Sequence, residues 1–156
     1  MTTESTVSSP RLHLSPSRLD CYAQCGLRYR FQYVEKRPSP PTAATTLGNI
    51  GHRGLELLFN EPQWDRTPER LDAALDQSVG EYVGELEVVF AGDLDAEREC
   101  IATAREFAQR VFTVMDPSVI TGDTEGTLRV LTDDWDLTGR YDLLIRNDDD
   151  TVTLVD

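Results

Sequence analysis

The spacing of apolar residues along the chain changes from helical to strand-like. Up to about residue 115, apolar side chains recur every three or four positions, which is the period of an amphipathic helix. From Thr124 onward the period falls to about two, which is typical of strands. The pattern therefore predicts an α/β fold, in which helices are followed by three strands in an antiparallel meander.

Start and stop signals divide the helical part into segments. Ser15–Pro16 and Thr67–Pro68 each place a capping hydroxyl before a proline at the first helical position, where the missing N–H costs nothing. The run RPSPP ends the first segment, because proline disfavours helix both at its own position and at the preceding one. These signals, together with the helical spacing of apolar residues, predict helices over about 16–36, where Gly26 leaves a break open, and over about 44–60, 68–90 and 95–115.

The last hairpin raises a question of charge. If the turn in NDDD is centred near Asp149, cross-strand partners sum to 298, so Leu144 faces Leu154 and Asp142 faces Asp156. Two carboxylates so placed destabilise a hairpin unless a pKa rises, water solvates them or a divalent cation lies between them. From this geometry alone a solvated acidic hairpin is favoured over a metal site.

Composition indicates an ordinary globular protein, with 39% hydrophobic and 28% charged residues among 156. No apolar run reaches the length of a membrane span, and the first ten residues lack the features of a signal peptide. We therefore expect a cytoplasmic protein, with no membrane partner and with residues 1–10 disordered because they offer nothing to bury.

Charge is distributed unevenly, which matters for partners. The net charge of −13 argues against nucleic acid, yet residues 11–36 are net +3, which leaves −16 for the remainder. Four aromatic residues interleave with Arg28 and Arg30 in this segment: Tyr22, Tyr29, Phe31 and Tyr33. Such a mixture could stack on bases and touch phosphates, or could equally pack the first helix onto the domain.

Several side chains could carry chemistry, but each is a weak signal alone. His52 and Glu56 share one face of the second predicted helix, a pairing that is common without function. Cys21 and Cys25 lie one helical turn apart, a spacing compatible with a soft metal. A zinc module that uses both cysteines with His13 and His52 is disfavoured, because these spacings suit no standard site. Cys100 lies in an apolar stripe with Ala104, Phe107, Val111 and Val114, as a small buried side chain would.

Four blocks in order resemble the start of a RecB-family nuclease domain of the PD-(D/E)XK superfamily, the group of AddB and the CRISPR-associated exonucleases. The first block is LSPSRLDCYAQCGLRYRFQYV, with Ser15, Ser17, Leu19, Tyr22 and Cys25 at the family positions, and the second is LGNIGHRGLELLF, with His52 after Gly48. The third is GRYD, which ends in Asp142, and the fourth is matched by Asp156 alone. The resemblance covers residues 11–156 and implies the N-terminal portion of a nuclease domain with a restriction-endonuclease-like core.

The resemblance also implies the site. His52, Asp142 and Asp156 would be the catalytic metal ligands and would hold Mg²⁺ or Mn²⁺, which compensates phosphate charge and supplies hydroxide at neutral pH. Glu56 is a second-sphere candidate on geometry alone. In this pattern a lysine follows the acid after one spacer, so we expect the chain to be truncated within the motif and inactive as it stands.

Cys25 matches the first ligand of a [4Fe-4S] cluster in the iron-sulfur relatives, whose other three cysteines lie further along the chain. The cluster is therefore expected only in a complete relative, and Cys25 in this chain is expected to be a thiol or an incomplete ligand. Gly26, where relatives often have proline, and the extra Cys21 depart from the family pattern.

The resemblance implies a metal-dependent DNA exonuclease of recombinational repair, with DNA as substrate and a helicase subunit or domain as a candidate partner. The alternative is a non-catalytic relative that keeps a nuclease-like fold for DNA binding or assembly. The lysine two residues after Asp156 in the parent reading frame distinguishes the two.

Overall fold

The structure is a computed structural model, and it describes residues 12–155. The chain divides into two compact units. Unit 1 comprises Met1–Ser39 and Thr127–Arg140, and unit 2 comprises Pro40–Gly126 and Tyr141–Asp156. Residues 1–10, which we expect to be disordered, lie outside the described residues.

Unit 1 begins with strand β1 (Leu12–Leu14), followed by helices α1 (Pro16–Gln24) and α2 (Gly26–Tyr29) and a π-helical turn at Arg30–Val34. The Ser15 side chain accepts a hydrogen bond from the amide of Arg18, as the Ser15–Pro16 signal predicts. The first predicted helix does break, but one residue earlier than Gly26. Cys25 is extended, and its Sγ accepts from the Arg28 amide to cap the next helix.

Unit 2 contains the remaining helices. Their bounds are α3 (Ala43–Asn60), a 3₁₀ turn (Gln63–Asp65), α4 (Pro68–Glu81), α5 (Val83–Phe90), α6 (Leu94–Gln109) and α7 (Val111–Val114). The predicted second helix is confirmed within one residue. The third is interrupted at Tyr82, which leaves helical geometry with ψ 11°, and the fourth is interrupted at Arg110.

The start of α3 is fixed by a local cap that was not among the predicted signals. Thr42 and Thr45 form a capping box, in which each side chain satisfies the other residue's backbone amide. The Thr67 side chain caps α4 by accepting a hydrogen bond from the Arg70 amide, with Pro68 at the first helical position. These bonds involve residues three apart, so they form without any tertiary contact and fix the helix starts locally.

The core described for unit 2 lies among α3, α4, α5 and α6 and the strands that follow them. Its fully buried side chains include Leu71, Leu75 and Leu86. Cys100 is buried, as expected, and burial raises the pKa of its thiol. The predicted stripe on the fourth helix is only partly correct, because Phe107 and Val114 are exposed and Ala108 is buried instead.

Four strands form one mixed sheet among residues 12–155. They are β1, β2 (Gly122–Leu131), β3 (Trp135–Arg146) and β4 (Val152–Val155), and β3 pairs with each of the other three. The predicted strands β2, β3 and β4 are confirmed. The sequence did not predict β1, which pairs in parallel with the first residues of β3. The predicted α/β class is confirmed, and the arrangement is consistent with a restriction-endonuclease-like fold.

The hairpin of β3 and β4 has the predicted register. Leu144 pairs with Leu154, and the flanking pairs keep the same sum. The buried face is the other one, however. Leu143 belongs to the core of unit 2 and Val155 packs against it, whereas Leu154 is half-exposed.

No helix in the described part of the chain is both long and apolar enough to cross a membrane.

Candidate active site

His52 is presented by α3, the helix at the centre of unit 2. Ile50 and Gly54, the residues two positions before and after it, are buried in the core, and His52 itself is more than half exposed. The helix is therefore anchored on one side while the imidazole stays accessible. A fixed backbone with an open side chain is the arrangement that a ligand or a catalytic group requires.

Asp142 in β3 meets this histidine. The distance from Asp142 Oδ2 to His52 Nδ1 is 3.1 Å, and the two side chains are 34% and 59% exposed. The contact joins two residues that are 90 positions apart in sequence, and both belong to unit 2. The structure thus brings together two of the three predicted metal ligands.

The pair lies in a cleft of about 250 Å³ within unit 2. Its walls are mainly apolar and include Phe59, Val111 and Met115, while its polar groups are His52, Glu56, Glu125 and Asp142. An apolar cleft with a few convergent polar groups is the usual form of a small binding or catalytic site. Three carboxyl groups and one imidazole therefore share one solvent-accessible space.

Glu56 is held by an arginine rather than by the histidine. Its Oε2 accepts a hydrogen bond of 2.8 Å from Arg53, which also donates two bonds to Glu81 on α4. The hydrogen bonds to Glu81 are the main cause that raises the pKa of Arg53, and the bond to Glu56 is the second. Arg53 in turn lowers the pKa of Glu81. Among the described residues Glu56 makes no hydrogen bond with His52, so its predicted role as a second-sphere partner rests on their shared cleft.

Glu125 is a cleft residue that the sequence analysis missed. It lies in β2 with φ of +52°, a backbone conformation that residues other than glycine rarely adopt. Gly126 follows it, and a Cβ there would overlap the Tyr141 ring. The pair EG inside a strand pattern was the available signal, because a glycine within a strand often marks a bulge or a close approach.

The third predicted ligand, Asp156, lies outside the described residues. The described part of the hairpin ladder runs from the Leu143–Val155 pair to the Arg146–Val152 pair. Within residues 12–155, no three His, Cys, Asp or Glu side chains are grouped closely enough to hold a metal ion by themselves. The assignment of Asp156 as a third ligand therefore stays a prediction.

The cysteines have separate environments. Cys21, Cys25 and Cys100 are free thiols, and only Cys25 is exposed. Cys21 Sγ lies 3.7 Å from Gln32 Oε1, which it can reach as a donor. A [4Fe-4S] cluster takes four cysteine ligands, and the sequence contains three, of which two are buried, so these residues do not fit the cluster. The zinc module also finds no support among the described side chains.

Comparison with known proteins gives one informative result. No curated protein and no solved structure matches the chain significantly. The family model of the PD-(D/E)XK nuclease superfamily, in contrast, matches residues 13–156. This range contains every strand and helix described above except Leu12, the first residue of β1, and it includes His52, Asp142 and Asp156. The chain therefore belongs to the PD-(D/E)XK nuclease superfamily.

Proposed function

We propose that this chain is part of a RecB-type exonuclease domain that degrades DNA in recombinational repair, together with a helicase subunit or domain. The observation that carries the proposal is the contact of His52 with Asp142 in an accessible cleft of unit 2. The match to a nuclease superfamily gives this contact its chemical meaning, since nucleases of that superfamily generally use Mg²⁺ or Mn²⁺.

The residues of the cleft fit such a cation. Carboxylate oxygens are the preferred ligands of Mg²⁺ and Mn²⁺, and imidazole also binds first-row metals. We assign His52, Asp142 and Asp156 as the ligands, with Glu125 and Glu56 as further carboxylates in the same cleft. The bound cation would compensate charge on the scissile phosphate and supply hydroxide at neutral pH.

The chain's own residues define what the cleft can accept. Its carboxylates, in a protein of net charge −13, repel a phosphate diester, so DNA enters productively only when this negative charge is compensated. Apolar walls that include Phe59 and Met115 flank these charged groups, while the His52 side chain stays 59% exposed to water. The contact with Asp142 orients the His52 ring towards the cleft.

Metal binding is tested by thermal unfolding with Mn²⁺. At about 100 times its dissociation constant, a ligand stabilises the folded state by about 2.7 kcal/mol. In a chain of this size that corresponds to a rise in Tm of about 5–10 °C. Asp142→Asn should abolish the rise. Asp148→Asn, which removes an exposed carboxylate in the turn of the same hairpin, should leave it unchanged. Equal rises in wild type and Asp142→Asn would disprove the assignment.

Cleavage is tested with end-labelled linear DNA and a polypeptide that includes the lysine of the family pattern, two positions after Asp156. The 156-residue chain does not include that position, so it serves as the lysine-free comparison. The longer polypeptide should degrade DNA with Mg²⁺ or Mn²⁺, and His52→Ala should stop it. DNA binding without cleavage by the longer polypeptide would instead favour the non-catalytic module.

A further inference from the structure

A row of aromatic and basic side chains lies on the surface of unit 1. The ring centroids of Tyr22 and Tyr29 are 5.4 Å apart, and those of Tyr29 and Tyr33 are 5.3 Å apart. The guanidinium of Arg18 lies 5.0 Å from the centroid of Tyr33 and continues the row. The four side chains, Arg18, Tyr22, Tyr29 and Tyr33, are here called the tyrosine row.

Local backbone geometry assembles the row. Cys25 is extended between α1 and α2, and this break brings Tyr22 of α1 against Tyr29 of α2. Tyr29 and Tyr33 are four residues apart, so they lie on one helical face. Tyr33 belongs to the π-helical turn at Arg30–Val34, in which the amide of Glu35 bonds to the carbonyl of Arg30. Such turns are rare and are frequent at functional sites.

Core packing does not account for these rings. Among the described residues of α1, α2 and the π-helical turn, only Cys21 is buried. Tyr22 is 65% exposed, and Tyr29 and Tyr33 keep part of their surface in contact with solvent. Single exposed apolar residues are ordinary, but contiguous exposed rings usually mark an interaction surface.

The surroundings of the row are positively charged, unlike the rest of the protein. Residues 12–39 contain five basic and two acidic side chains, a net charge of +3 in a chain of −13. Arg30 and Arg37 share the carboxylate of Glu35, which neutralises only one of the two. Arg28 and Lys36 have no acidic partner within the described part of the chain, so their charges are available to an anion.

We propose that the tyrosine row binds single-stranded DNA, with bases stacked on the tyrosine rings and phosphates held by Arg28 and Lys36. This inference deepens the proposed function and rests on it for the choice of DNA as the polymer. Stacking on protein rings requires unpaired bases, because in a duplex the base faces are already stacked on one another. The chemistry therefore selects a single strand over a duplex.

The inference is tested by fluorescence anisotropy of a labelled oligo(dT) strand with the 156-residue chain, in EDTA so that no metal-dependent event contributes. Tyr29→Leu combined with Tyr33→Leu should weaken binding by about fivefold or more, because leucine keeps an apolar contact but gives no base stacking. Trp64→Leu removes a ring of unit 2 that is 79% exposed, and it should have no effect. Circular dichroism should show that all variants keep their helix content.

Two further binding measurements distinguish base stacking from phosphate contacts. Wild type should bind an abasic strand of the same length about as weakly as the double tyrosine variant binds oligo(dT). Arg28→Ala should reduce the slope of log affinity against log salt by about 0.7, the value for one phosphate contact on a single strand. Arg98→Ala, which removes an exposed arginine of α6, should leave the slope unchanged.

Equal affinity for oligo(dT), the abasic strand and a duplex would overturn the inference, as would unchanged binding by the double tyrosine variant. Because the assay contains no divalent cation, its outcome is independent of the cleavage experiment. Loss of the stacking effect with intact metal-dependent cleavage would refute the tyrosine row alone. A stacking effect without cleavage would refute the proposed exonuclease activity and leave the single-strand surface in place.

Discussion

Gly54 sets the distance between α3, which carries His52, and α4. A Cβ built on Gly54 would lie 2.9 Å from Cγ of Leu75 and nearer still to one of its methyl groups. Leu75 is fully buried, so it has no free space into which it can rotate. Replacement of Gly54 by alanine should therefore have opposite effects depending on whether Leu75 is present.

Three magnitudes determine the expected result. Alanine is favoured over glycine inside a helix by about 1 kcal/mol, whereas overpacking a core costs about 1–3 kcal/mol. Gly54→Ala alone should therefore lower the free energy of unfolding by up to about 2 kcal/mol. Leu75→Ala alone should lower it by about 2–5 kcal/mol through loss of buried area and a cavity. In that background the added methyl meets no clash, so Gly54→Ala should raise stability by about 1 kcal/mol.

The assay is urea unfolding followed by circular dichroism for the wild type, both single variants and the double variant. The coupling between the two sites should be about 1–3 kcal/mol. Gly48→Ala is the matched control, because it lies in the same helix and a Cβ there meets nothing within 4 Å. It should stabilise the wild type by up to about 1 kcal/mol. Additive effects of the two core substitutions would refute the argument from close packing.

Three further predictions concern single side chains. Arg129 lowers the pKa of Asp136 to about 2, chiefly through two hydrogen bonds. The stability that the ionised Asp136 contributes is therefore present above the ordinary carboxyl pKa, and it is lost as pH falls from about 4 to about 2. Asp136→Asn should melt below wild type at pH 7, and the difference in Tm should shrink as pH falls towards 2, in melting curves measured across that range. A difference of undiminished size at pH 2 would contradict the assignment. Arg66 donates to the carbonyls of four residues, including Ile120, so Arg66→Met should cost about 3 kcal/mol or more in urea unfolding and Arg66→Lys should recover only part of it. The buried Ser78 hydroxyl donates to a backbone carbonyl of α3 over 2.9 Å, so Ser78→Ala should cost about 1 kcal/mol in the same measurement, and no loss would show that water replaces the bond.

The sequence by itself determined the features that depend on neighbouring residues. The starts of α1, α3 and α4 follow from a capping hydroxyl and nearby prolines, and these signals act over three or four positions. The register of the last hairpin follows from its turn, which contains Asp150 in the left-handed region with φ of 62°. With the turn taken as centred near Asp149, the sequence predicts the observed pairing of Leu144 with Leu154.

The family blocks also brought His52 and Asp142 to attention, but sequence alone could not show that they touch. Each block is a short local pattern, and 90 residues separate the two side chains. Their 3.1 Å contact depends on how α3 and β3 pack within unit 2. Asp156 lies outside the described residues, so its assignment stays a prediction.

Only the tertiary structure decided which apolar residues are buried. Leu143 and Leu144 are equally apolar, but only Leu143 is buried in the core of unit 2, because the core packs against the face of β3 on which Leu143 lies. Tyr82 interrupts a segment whose pattern reads as one helix, and residues on both sides of it, Leu75 and Leu86, reach the same core. Glu125 joins the cleft through a backbone conformation that no local propensity favours. Contacts between distant segments outweigh local preference at these positions, because burying apolar area stabilises more than the few tenths of a kcal/mol by which propensities differ.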